Sequence, residues 1–141
     1  MKQKRSGYIL LVLFLLVSSS LIVGTVILYQ AVKCYHVAQY QYQYYQRKYL
    51  LEGLLNHTVN NVVLSFDSYY QQNETVEKFV RWGNINGIDY DGQIKTHVIE
   101  SNEEQRIGII AEIKHDTDEG IASCILVKEG KVFYIDKWRC R

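Results

Sequence analysis

Four histidines, 15 acidic residues and three cysteines are the groups in this 141-residue chain with chemistry to offer, and their spacing decides what kind. His36, His57, His97 and His115 stand far apart, without the short intervals of a metal site. No Ser-His-Asp order, nucleophile elbow, phosphate-cradling glycine loop or HExxH run occurs. No catalytic residue, cofactor or resident metal is therefore expected, and the chain reads as a non-enzyme. Asp89-Tyr90-Asp91-Gly92 and a second acidic loop with Asp116, Asp118 and Glu119 offer carboxylate oxygens of the type calcium takes. The first run is shorter than a complete calcium loop, and solvated turns explain both more simply. Lys128, Lys131, Lys137, Arg139 and Arg141 stand beside Phe133, Tyr134 and Trp138, a mixture suited to touching a DNA backbone. A charged edge strand that resists aggregation accounts for the same residues.

The element that must position all of this is the uncharged run from Tyr8 to Tyr29, YILLVLFLLVSSSLIVGTVILY. Its 22 residues span roughly 30 Å as a helix, the thickness of a bilayer's hydrocarbon core. A transmembrane helix over residues 8–32 follows. Residues 1–7 before it hold Lys2, Lys4 and Arg5 and no acid, which places this end in the cytoplasm and the remainder outside. A cleaved secretory signal is the competing reading, but the apolar run is longer than the 7–15 residues of a signal core. Beyond residue 7 the chain carries 13 basic against 15 acidic residues, so no strongly basic surface for nucleic acid is indicated.

No proline occurs anywhere, and helical spacing continues past the apolar run. Tyr35, Ala38, Tyr42, Tyr45 and Tyr49 share one face, and Leu51, Leu55, Val59, Val62 and Phe66 extend a stripe at the same period. One helix is expected from about Tyr8 to Phe66, its second half over residues 33–66 amphipathic. The tyrosine stripe should pack on the chain's own sheet or on neighbouring subunits.

Residues 67–93 read as irregular, with a short helix capped by Asn73 or Thr75 and a loop at WGNINGIDYDG. From Ile94 onward the period changes to two. Strands are expected near 94–98, 107–114, 121–128 and 131–138, with a turn at Asn102–Gln105 and a two-residue hairpin turn at Glu129-Gly130. The fold class is thus α+β: a long helix packed on a small antiparallel sheet of about four strands within residues 67–141. With that turn, Leu126, Cys124, Phe133 and Ile135 share the core face. Cys140 then lies opposite Glu119, on the order of 16 Å along the strand from Cys124, too far for a disulfide unless the tail folds back. Cys124 is expected buried and free, with Cys34 and Cys140 available for intermolecular pairing.

A basic leader ending in Lys4-Arg5-Ser6-Gly7, an aromatic Tyr8, an immediate apolar helix, an amphipathic continuation and a small sheet together resemble the type IV pilin and pseudopilin family. The resemblance implies a prepilin peptidase that cuts between Gly7 and Tyr8 and N-methylates Tyr8. Two positions depart from the pattern: Tyr8 replaces the usual Phe, and Val12 stands where most members have Glu, at the fifth mature position. That Glu pairs with the amine of a neighbouring subunit, because a lone charge is costly in an apolar filament core. Members lacking it tend to be minor subunits at the tip or in initiation, and the usual proline of the membrane helix is absent here too. The segments YLLEGLLNHTVNNV (49–62) and IAEIK to GIASCILVKEGKVFYIDKW (110–138) are similar to the ComGG-type minor pseudopilins of competence systems. This implies a pilus subunit for uptake of transforming DNA, partnered by the membrane, the peptidase and other pilin-like subunits. A minor pseudopilin of type II secretion or of a type IV pilus is the neighbouring reading, and an unrelated single-pass sensor or envelope domain is the rival. The sequons at Asn56 and Asn73 would matter only in a eukaryotic secretory host.

Overall fold

The uncharged run forms helix, and the helix does not stop where the lipid-length segment ends. The computed structural model describes residues 2–101 and 104–140, with side chains from Gly7 onward. In it α1 runs unbroken over Lys2–Leu64. The leader side chains of Lys2, Lys4 and Arg5, the turn residue Asn102 and the terminal Arg141 lie outside the described residues. Without a proline, and with glycine costing only about 1 kcal/mol in a helix interior, nothing in the sequence ends α1 before Leu64. A one-residue break at Ser65 separates it from the short α2, Phe66–Gln72. Asn73 closes α2 with a positive φ of 64° and ψ −46°.

The chain divides into two compact units, Met1–Tyr42 and Gln43–Arg141. The first consists of the apolar part of α1. The second contains the remainder of α1, α2 and five strands: β1 (Glu74–Ile85), β2 (Ile88–Ile99), β3 (Gln105–His115), β4 (Asp118–Glu129) and β5 (Val132–Cys140). They form one antiparallel meander in sequence order. The fold is α+β, a long helix packed on an antiparallel sheet.

The strand beyond the expected four is β1, drawn from residues read as a short helix and a loop. Asn86 (φ 52°) and Gly87 (φ 84°) form its turn to β2, with Ile85 paired to Ile88. Two successive positive φ angles make a type I′ hairpin, the turn that Asn-Gly favours. Three residues of β1, Val80 to Trp82, bulge opposite the single residue Asp91. Arg81 adopts φ 53° there, and its N–H donates to Asp91 Oδ1 at 2.9 Å. The bulge lets the Trp82 indole reach α1, where its Nε1–H donates to the Leu50 carbonyl at 3.1 Å.

One sheet face is covered by helix. Leu51, Leu54, Leu55, Thr58 and Val62 of α1 and Phe66 of α2 are buried with Ile94, Ile107, Ile109, Ile113, Ala122, Cys124 and Leu126. The expected stripe was right at Leu51, Leu55, Val62 and Phe66. Val59 is only half-buried, and Leu54 and Thr58 take its place. The Thr58 hydroxyl donates to the Leu54 carbonyl at 2.8 Å, so its burial leaves no polar group unpaired.

The last hairpin turns at Gly130-Lys131 rather than Glu129-Gly130, because Glu129 pairs with Val132 and Gly130 takes the positive φ of 63°. Glycine at the first central position is the type II′ arrangement. A bulge at Asp136 then shifts the register, so that Cys140 lies opposite Ala122 and Cys124 opposite Trp138. The expected separation of Cys124 and Cys140 is therefore corrected. They are diagonal neighbours on one face, at a Cα spacing of about 7–8 Å, beyond the usual disulfide range. All three cysteines are free.

Candidate functional site

Among the described residues, α1 is one helix long and apolar enough to cross a membrane. Its apolar side chains are exposed on every side: Tyr8, Leu10, Phe14, Leu21, Ile22 and Leu28 all exceed 60 %. Gly7 and Tyr8 are exposed and lie within α1, as are Val12 and Cys34. Ser19, Ser20 and Thr25 return their hydroxyls to α1's own carbonyls (Leu16 for both serines, Ile22 for the threonine) at 2.8–2.9 Å. Three of the four hydroxyls in the middle of the run are thus paired without water, as a membrane interior demands. Within the second unit the tyrosine stripe does not pack on the sheet: Tyr45 is 54 % and Tyr49 71 % exposed. Their positions explain this, because Leu51, Leu54 and Leu55 hold the sheet-facing side of α1.

The two acidic loops do meet. The β1–β2 and β3–β4 hairpins bring Asp89, Asp91, Asp116 and Glu119 around one cleft of about 450 Å³ beside Lys78 and Lys114. Most of these carboxylates are engaged by protein groups. Asp89 accepts from Asn84 Nδ2 at 2.6 Å and faces Arg81 Nε at 3.6 Å, Asp91 caps the Arg81 N–H, and Asp116 lies 3.5 Å from His115 Nε2. Asp118 leaves the cleft, pairing with the Arg47 guanidinium and accepting from the Tyr90 hydroxyl at 2.7 Å. Burial, then the hydrogen bond to Asp118, raise the Tyr90 pKa above its ordinary value. Among the described residues no three His, Cys, Asp or Glu side chains are placed to hold a metal ion. The arrangement ties the hairpin end of the sheet to α1 through Arg47.

The basic and aromatic residues of the C-terminal segment do not form one surface. Lys128 and Phe133 point to the helix side, where Lys128 Nζ contacts Asp67 at 2.6 Å and lies 4.9 Å over the Phe66 ring. Phe133 packs against Phe66, with ring centroids 5.4 Å apart. Trp138 shares that face, being paired with the buried Cys124. Lys137, Arg139 and Tyr134 occupy the opposite face, where strand alternation puts every second residue.

The histidines remain separate. His36 is exposed beside Tyr35 on α1, His57 lies within hydrogen-bond distance of Asn61 at 3.2 Å and packs against Phe79 and Trp82, and His115 contacts the Asp89 carbonyl at 2.9 Å. His97 lies over Gly108. Burial pushes the Cys124 thiol up to about 12 and raises that of Cys140, so neither is the low-pKa thiolate of a reactive site. Nothing in the sequence alone tied Asp118 to Arg47, 71 residues away. Neither protein-family models, curated proteins nor solved structures match this chain.

Proposed function

We propose that the chain is a minor pilin-like subunit, anchored through α1 with its N-terminus in the cytoplasm and its sheet domain outside. After cleavage between Gly7 and Tyr8 and methylation of Tyr8, it would assemble through α1 into a short type IV-like pilus. A competence pilus for uptake of transforming DNA is the preferred setting. A minor role in type II secretion or a type IV pilus is the neighbouring one. The observation that supports this reading most is the continuity of α1. One unbroken helix carries an apolar segment exposed on all sides and, further on, a stripe that packs on a meander sheet. An apolar helix exposed on every side needs lipid or other helices around it. The exposed tyrosines of α1 are surface that neighbouring subunits would cover. Val12 brings no carboxylate needing a partner amine, which favours a tip or priming position over the shaft. The mechanism is assembly rather than catalysis.

The test is intact mass and N-terminal sequencing of the full chain, produced with and without a prepilin peptidase. Peptidase-dependent loss of residues 1–7 with an N-methylated Tyr8 is expected. Retention of Met1 in both samples would overturn the reading in favour of an unrelated single-pass anchor. Loss of residues 1 to about 24 would indicate a secreted domain.

A further inference from the structure

The face of the sheet opposite the helices carries a groove whose wall holds Lys137 and Arg139, two of the cations first weighed for DNA contact. It has a volume of about 310 Å³ and crosses β2 to β5. Strand pairing builds it from two neighbouring rungs. In the first, His97 pairs with Gly108, Gly108 with Ile125, and Ile125 with Lys137. In the second, Ser123 pairs with Arg139. Four strands at about 4.8 Å spacing give it a width of about 14 Å, enough for one extended polymer strand.

Three features set its chemistry. No acidic residue lines it, whereas five line the cleft at the hairpin end. Lys137 and Arg139 are exposed on one wall, and among the described residues neither forms an ion pair. The nearby cations Lys95 and Arg106 are held by Glu112 and Glu104, at 3.2 and 2.6 Å. The third feature is the His97 ring, which is exposed and laid over Gly108. A Cβ added there would come within 2.4 Å of the imidazole Cε1 and 2.5 Å of Nε2. The missing side chain is what lets the ring lie across the sheet. Glu74, opposite His97 on β1, stands beyond the groove's edge.

A flat exposed ring, two cations without an ion pair among the described residues and an apolar floor are the parts of a stacking platform with an electrostatic rail. We propose that this groove binds single-stranded nucleic acid, with backbone phosphates on Lys137 and Arg139 and a base stacked on the His97 ring. An acidic peptide would use the two cations but leave the ring unused, so nucleic acid is the occupant that engages all three groups. The proposal does not depend on how the N-terminus is processed.

The test uses the full chain in a neutral detergent and a fluorescein-labelled oligothymidylate, read by fluorescence anisotropy. Two phosphate contacts predict a slope of log affinity against log salt near −1.4. The double variant Lys137→Gln/Arg139→Gln should weaken binding at least tenfold. His97→Ala should weaken it about fivefold or more, the loss of one stacked base. The control Lys78→Gln/Lys114→Gln removes the same charge from the acid-lined cleft and should leave affinity within twofold. Each variant is first matched to the parent by circular dichroism, and all five positions are exposed or half-exposed. Equal losses from both double variants, displacement by polyglutamate as effective as by oligonucleotide, equal affinity for duplex, or no binding at all would each overturn the proposal.

Discussion

Cys124 and Asp118 show how position decides what a reactive side chain does here. From an ordinary value of 9.0, burial moves the Cys124 thiol up to about 12, which reduces its thiolate at neutral pH roughly a thousandfold. Cys34 is exposed on α1. Iodoacetamide at pH 8 should therefore modify Cys34 readily and Cys124 only when the domain opens, a difference that peptide mass mapping resolves. Equal labelling of both would contradict the burial. The raised value also fixes a sign. The folded domain holds the Cys124 proton more tightly than the unfolded chain does, so its contribution to stability is complete below pH 9.0 and is lost as pH rises toward about 12. Cys124→Ser should flatten that alkaline limb in urea titrations. Asp118 is a different case. It is partly exposed and accepts from both Arg47 and Tyr90, so screening by solvent limits the pair. Arg47→Ala should lower stability by only about 1 kcal/mol, measured as a small shift in urea midpoint.

At the scale of elements, the seam between α1 and the sheet is the main source of stability. Leu54 is fully buried while Tyr49, five residues earlier on the same helix, is 71 % exposed. Leu54→Ala should cost about 2–5 kcal/mol, whereas Tyr49→Ala should stay within about 0.5 kcal/mol. Thermal or urea unfolding of the full chain in detergent separates the two, and comparable losses would mean that the tyrosine stripe packs on the sheet after all. The helix and four of the strands were legible because one period persists over long runs. Ile107, Ile109, Ala111 and Ile113 alternate cleanly, and Leu51, Leu55 and Val62 recur at helical spacing. β1 was not legible from period because its bulge at Val80 to Trp82 breaks the alternation. Its one clear signal is Asn86-Gly87, a hairpin pair between two isoleucines, set within a stretch whose glycines, asparagines and aspartates resemble a loop. The C-terminal register failed for a related reason. A glycine one place from the chosen turn position, and a bulge at Asp136, both move Cys140 without leaving a mark in composition. The outer groove was illegible altogether, since His97 meets Lys137 only through three successive strand registers.

For the molecule as a whole, the dominant feature is one helix long and apolar enough to cross a membrane. Fifteen Leu, Ile, Val and Phe residues lie between Tyr8 and Tyr29. At about 0.3–0.6 kcal/mol each they favour insertion by roughly 5–9 kcal/mol, less the modest cost of the central serines, threonine and glycine. No charge lies in the segment to oppose this. Two aspartates near the middle would cost about 5–7 kcal/mol together and bring the balance close to zero. The parent chain should therefore stay in the membrane pellet after alkaline carbonate extraction, and Leu16→Asp/Val23→Asp should pass into the supernatant or be lost to proteolysis. A conservative pair, Leu16→Ile/Val23→Leu, should behave as the parent. Extraction of the parent chain itself would mean that other protein, not lipid, covers the helix. The same fractionation, repeated on peptidase-processed chain, asks the question that matters for assembly. If the chain is processed as proposed, removal of residues 1–7 takes away three cations and leaves the apolar run intact, so processed chain should still stay in the membrane pellet.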